Sequence, residues 1–193
     1  MRFVFDLDGC LIDSRGLIIQ AYHDAGVLAP DNVLECEGVN WLERDRGYDP
    51  AEARILKAEK NAHYLRRLAH YHGVAALPPY DVARRLVSEG RTCYVYTGAP
   101  TGTIDILREK LSHWPFQFAF DGVTTPMRMH ILSLFCDGGV YIDDQSRLVD
   151  LPNDWRFVQY VRQNADELYR EIMHDVLHDV LRPPWQTSRR RKM

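Results

Sequence analysis

Two acids one residue apart, Asp6 and Asp8, close the run Phe3-Val4-Phe5-Asp6-Leu7-Asp8-Gly9 near the start of the chain. The apolar part reads as a buried strand. Strand side chains alternate faces, so the two carboxylates leave on the same side. Gly9 then lets the backbone turn sharply and approach a ligand closely. Paired carboxylates at the carboxyl end of a parallel strand suit a hard cation and an anionic substrate. Two later runs end in comparable groups. Val95-Tyr96 leads into Thr97-Gly98, where a hydroxyl and backbone N–H groups can hold a phosphate oxygen. Val140-Tyr141-Ile142 leads into Asp143-Asp144, whose like charges repel unless a cation or a donor compensates them. Each alone is also an ordinary turn. All three in succession at strand ends point to one site, because open α/β sheets bind ligands at that end.

The elements that must position these groups alternate. Runs at 92–96, 116–120, 140–142 and 156–161 read as further buried strands, with helical patterns at 80–89, 103–112 and 127–135 between them. That order predicts an α/β fold, a three-layer Rossmann-like parallel sheet covered on both faces. The interval 14–77 differs, for it has no convincing strand. Leu17, Ile18, Ala21, Tyr22 and Ala25 form one helical stripe that Gly26 can stop. Asp49-Pro50-Ala51-Glu52 is a helix start, followed by Ile55, Ala58, Ala62, Leu65 and Ala69 along a second stripe toward Gly73. Residues 14–77 are therefore expected to form a small helical cap inserted into a core of residues 1–13 plus 78–182. Asn164 and Glu167 make a capping box for a last helix ending near Arg182, and 183–193 reads as a disordered basic tail. Asp13 is expected to cap the helix that follows it.

Composition limits the function classes. The 193 residues are 46% hydrophobic and 26% charged, which is the profile of a globular protein with room for a sizeable core. A net charge of −3 gives no global attraction to nucleic acid or to a membrane surface. No apolar run spans a bilayer, and Cys10, Cys36, Cys93 and Cys136 lack metal-site spacing, so reduced thiols and a cytoplasmic location are expected. His63, His70, His72, His174 and His178 read as solvated helix faces, and 189–192 as tail charge.

With these residues in view, the chain resembles the haloacid dehalogenase-like (HAD) hydrolase superfamily over about residues 1–162. The run 3–11 is similar to its first motif, Thr97 falls where the second places Ser or Thr, and Asp143-Asp144 is similar to the fourth. The third motif departs. In the run Thr125-Pro126-Met127-Arg128-Met129 a methionine stands where a lysine is usual, and Arg128 or Lys110 is the candidate replacement. Cys10 replaces the usual Thr or Val.

The resemblance implies an enzyme, a phosphatase forming an aspartyl-phosphate. Asp6 would be the nucleophile and Asp8 the acid and base. Magnesium (Mg2+) would be held by Asp6, the Asp8 carbonyl and the Asp143-Asp144 pair, whose direct ligand is left open. Thr97, Gly9 and Gly98, with Arg128 or Lys110, would hold the phosphoryl oxygens. Retention of Asp8 favours phosphomonoester hydrolysis over carbon–halogen cleavage, since a halide needs no proton. A small soluble phosphate ester is the expected substrate. The alternatives are a polynucleotide 3′-phosphate end, motivated by the basic tail, and a non-catalytic binding protein, motivated by the missing lysine. Tyr22, Trp41, Arg44 and Arg46 are candidate cap contacts. Oligomeric state is not legible.

Overall fold

The computed structural model describes residues 1–35, 39–135, 138–145, 151–152 and 154–180. Five strands, β1 (Arg2–Phe5), β2 (Thr92–Tyr96), β3 (Phe118–Phe120), β4 (Gly139–Asp143) and β5 (Trp155–Gln159), form one fully parallel sheet in the order β3-β2-β1-β4-β5. Strand alternation divides the sheet into two packed faces. Phe3, Phe5, Cys93, Val95, Val140 and Ile142 join the larger core with residues of helices α4 (Pro78–Ser88), α5 (Thr103–Lys110) and α7 (Ala165–Val180). Val4, Tyr96, Tyr141 and Trp155 face the other way, onto Leu132 of helix α6 (Thr125–Ser133). This is the expected three-layer α/β arrangement.

Register sets the site. Phe5 pairs with Val95 on one side and with Ile142 on the other. The next residue, Asp6, therefore emerges beside Asp143, and its N–H donates to the Ile142 carbonyl at 2.9 Å.

Between β1 and α4 the chain forms helices α1 (Arg15–Asp24), α2 (Val39–Arg44) and α3 (Pro50–His70), with a short 3-10 turn at Val33–Glu35. Ile18, Ala21 and Tyr22 are buried on α1, and Gly26 takes φ 76° just beyond its end. Asp49 caps α3 by accepting from the Ala51 and Glu52 amides at 2.8 and 3.0 Å. The outgoing and returning segments run side by side, with Leu77 N–H donating to Leu11 O at 2.9 Å and a bridge between Ile12 and Ala76.

Several expectations need correction. Helix α3 buries Ala53, Tyr64 and Leu68, whereas Ile55, Ala58, Ala62 and Ala69 are exposed. Small alanines gave the wrong stripe its apparent amphipathicity, while the buried face carries a tyrosine and the stems of lysines. Strand β3 begins at Phe118 and is an edge strand, with Phe118 and Phe120 about half exposed. Phe116 belongs instead to an edge-to-face cluster with Phe5, Tyr80 and Trp114. Strand β5 ends at Gln159, leaving Val161 exposed. Ser14, not Asp13, occupies the N-cap of α1, and it makes no side-chain cap bond. The box between Asn164 and Glu167 forms reciprocally at 3.0 and 3.3 Å. Cys36, Cys136, the end of the last helix near Arg182 and the basic tail lie outside the described residues, as do the side chains of Val176, His178 and Val180. Cys10 and Cys93 are buried free thiols, and no helix among the described residues is long and apolar enough to cross a membrane.

Candidate active site

Three loops at the carboxyl end of the sheet converge. Asp6, Asp143 and Asp144 each offer a carboxylate oxygen within 4.8 Å of the others. Gly9, at φ 81°, makes room for them. A Cβ there would fall against Asp144 Oδ2 and lie 2.9 Å from Leu34 Cδ1, so no side chain fits. Pro126 lies in the first turn of α6, where proline is favoured, and Arg128 follows on that helix with its side chain buried at the sheet ends. Arg128 Nη1 stands 3.2 Å from Asp6 Oδ1 and 3.4 Å from Asp143 Oδ2, and also donates to the Tyr141 hydroxyl. Tyr141 in turn donates to Asp143 Oδ2 at 3.1 Å, and the Gln145 amide donates to Asp143 Oδ1 at 2.9 Å. Thr97 is buried beside them, its Oγ1 accepting from the Ala99 amide at 3.1 Å.

A cavity of about 850 Å³ opens over this floor. The sheet ends and their loops supply Asp6, Asp8, Thr97, Gly98 and Asp143, α6 supplies Arg128, and α3 supplies Lys57, Lys60, Asn61 and Tyr64 as a roof. Tyr64 Oη donates to Asp8 Oδ1 at 3.1 Å, joining roof to floor.

The electrostatics of the floor are unbalanced. Burial, then the charge of Asp143, pushes the Asp6 carboxyl well above the usual carboxylate range. Burial raises Asp143 to about 7 and Asp144 to about 6. Burial works against the Arg128 charge, but the carboxylates of Asp6 and Asp143, with the hydrogen bond to the Tyr141 hydroxyl, hold its guanidinium above its ordinary range. One guanidinium among three clustered carboxylates leaves an excess of negative charge. Moreover, Asp144 Oδ1 is buried and has no hydrogen-bond partner among the described residues. An orphaned carboxylate oxygen in an all-oxygen acidic cluster is what a hard divalent cation fits.

No family model matches the chain, and no curated protein matches it in sequence. Solved structures do match in shape. The β-phosphoglucomutase of Clostridium difficile aligns with a TM-score of 0.68 at 16% identity, covering 94% of this chain and 99% of that one. A predicted phosphoglycolate phosphatase of Haemophilus somnus aligns at 0.57 and 17% identity, covering 92% and 96%. A hydrolase of the haloacid dehalogenase-like family from Streptococcus pneumoniae aligns at 0.59 and 16% identity, covering 89% and 80%. The chain has the haloacid dehalogenase-like fold.

Against that HAD-like framework, the positions expected from sequence separate into two groups. Asp6, Asp8, Thr97, Gly98, Arg128 and Asp143 line one cavity, with Gly9 and Asp144 in contact range of each other behind it. Lys110 lies apart, at the end of α5, where its ammonium donates to the Tyr71 carbonyl at 3.1 Å. The two candidate replacements for the usual lysine are thus separated by geometry: Arg128 reaches Asp6 and Lys110 ties the sheet layer to the end of α3. Of the expected cap contacts, Tyr22 lines the cavity. Trp41 is buried against Tyr22 with ring centroids 5.3 Å apart, while Arg44 and Arg46 are exposed on α2 and just beyond it. No histidine joins a metal-ligating group among the described residues.

Sequence reasoning missed Tyr141, Tyr64, Lys57 and Lys60. A signal existed for the last three, which recur at i, i+3 and i+7 on α3 and so share a face. Tyr141 gave none, since an aromatic residue within an apolar strand is ordinary core.

Proposed function

We propose that the protein is a magnesium-dependent phosphatase that hydrolyses a small phosphomonoester through an aspartyl-phosphate on Asp6. The observation that carries this reading is the convergence of Asp6, Asp143 and Asp144 with Arg128 at the floor of the cavity, with Asp144 Oδ1 unpartnered among the described residues. The metal would be held by Asp6, the Asp8 carbonyl and Asp144, with Asp143 buttressing it. When bound it neutralises charge between the nucleophile and the incoming phosphoryl group.

The residues of the chain supply the rest. An Asp6 oxygen attacks phosphorus in line, and the bond from phosphorus to the ester oxygen breaks. Asp8 delivers its proton to the departing oxygen, then takes one from the water that attacks the acyl phosphate, freeing Asp6 and inorganic phosphate. Tyr64 orients Asp8 through the hydroxyl bond at 3.1 Å. Burial holds the Tyr64 phenol well above its usual range, so it stays a donor. Thr97 and the Gly98 backbone face the equatorial oxygens. Arg128 replaces lysine as the cation that fixes Asp6 and Asp143 and meets the phosphoryl charge. The α3 roof supports a small ester rather than a polynucleotide end.

Phosphate release from a panel of sugar phosphates, nucleotides and p-nitrophenyl phosphate tests the proposal. Turnover should require magnesium, stop with EDTA, and fall at least about a thousandfold in Asp6→Asn. Equal turnover by Asp6→Asn and wild type would overturn it.

A further inference from the structure

The roof of the cavity carries charge that hydrolysis of a simple ester does not use. Lys57 and Lys60 lie one turn apart on α3 and both line the cavity. Neither has a carboxylate within ion-pairing distance among the described residues. Lys60 Nζ donates to Asn61 Oδ1 at 3.2 Å and stands 5.3 and 5.6 Å from the ring centroids of Tyr22 and Tyr64. An ammonium has three donors, so two remain for a ligand. Burial and the neighbouring Lys57 charge already press Lys60 below the ordinary lysine range, with Asp8 opposing them. Two ammonium groups that repel each other in a partly desolvated cavity are relieved when an anion binds between them.

Position says which part of a substrate that anion belongs to. Tyr64, one turn beyond Lys60, donates to Asp8, the group assigned to the leaving oxygen. The donors for the transferred phosphoryl group come from the sheet ends and α6, whereas the lysines come from the helix that touches Asp8. They therefore overlook the alcohol portion of the ester. A cavity of about 850 Å³ also exceeds what one phosphoryl group fills and suits a whole metabolite.

Resting on the hydrolase reading above, we infer that Lys57 and Lys60 form a subsite for a second anionic group, so that the substrates are phosphate esters of alcohols that themselves carry a carboxylate or a further phosphate. Asn61 orients Lys60, and the two tyrosine rings hold its stem and head in place by apolar and cation–π contact.

Calorimetric binding to Asp6→Asn protein in magnesium tests the subsite apart from turnover. The probes are 2-phosphoglycolate, a sugar bisphosphate and, as the neutral counterpart, ethyl phosphate. At least one of the two diacid probes should bind tenfold or more tighter than ethyl phosphate. In the Asp6→Asn background, Lys60→Met should reduce that preference to within about twofold, and Lys60→Arg should keep it. Which diacid wins distinguishes a carboxylate subsite from a phosphate subsite. Equal binding of all three probes, binding of none, or a preference that survives combined Lys57→Met and Lys60→Met would overturn the inference. A lysine-dependent preference in a protein whose wild type hydrolyses no ester would retain the subsite and sink only the hydrolase reading.

Discussion

Arg128 is the residue on which the floor depends, because its Nη1 alone meets Asp6, Asp143 and Tyr141. A guanidinium carries its N–H groups in a fixed plane one atom farther from the backbone than a lysine ammonium, so a lysine here would not place its charge at the same point. Arg128→Lys is therefore expected to lower kcat/KM about tenfold and Arg128→Met about a hundredfold or more, read from steady-state phosphate release. Full activity in Arg128→Lys would mean that charge, not geometry, is what matters. Gly9 is constrained twice, by its φ of 81° and by the nearness of Asp144. Gly9→Ala should displace Asp144 and weaken magnesium binding by about tenfold or more in a direct titration, while circular dichroism shows the fold retained. Tyr64→Phe deletes the only side-chain hydrogen bond to Asp8 among the described residues. Its effect should fall on kcat, by about tenfold, with KM within about twofold. A change confined to KM would place Tyr64 in substrate binding instead.

Helix α3 does two jobs with one face. Leu68 and Ala53, with partly buried Leu56, pack into the core, and Lys57, Lys60 and Tyr64 reach the cavity. Its opposite face, with Ile55 and several alanines, is exposed. The two faces should answer differently to mutation. Leu68→Ala should cost about 2–4 kcal/mol in urea unfolding, because it empties a fully buried site. Ile55→Gln should stay within about 0.5 kcal/mol. The reverse order would show that the helix is turned about its axis. The periodicity that suggested the wrong stripe was real but uninformative, since alanine fits either surface of a helix and lysine stems pack as apolar groups.

At the level of the whole molecule, the acidic cluster couples stability to pH and metal. Burial raises Asp143 to about 7, Asp144 to about 6 and Asp6 well above normal. Without metal, the folded protein binds protons that the unfolded chain has released between about pH 4 and 7. Stability of the metal-free protein should therefore fall as pH rises through that window. Magnesium should reverse the penalty, so the melting temperature gained on adding it should be larger at pH 8 than at pH 5.5, by about 3 °C or more. Differential scanning fluorimetry in EDTA and in excess magnesium reads both curves. A gain independent of pH, or one that persists in Asp144→Asn, would exclude this cluster as the metal site.

Much of this architecture was legible in the chain itself. Strand runs, their alternation with helices and the acids or hydroxyl closing three of them depend on local patterning, and local patterning survives as sequence. The edge position of β3 was not legible, because Phe118 and Phe120 look the same whether or not another layer covers them. Nor was the choice between Arg128 and Lys110. Both are cations on neighbouring helices, and only the parallel register, together with the placement of α6 at the sheet ends, brings one of them within 3.2 Å of Asp6. The roof belongs to the same class, for which face of α3 looks inward is decided by its packing against α1 and the sheet ends. Residue order along the chain specified the chemistry available, and long-range packing decided which groups meet, because distances across the sheet are set by pairing that no short stretch of sequence encodes.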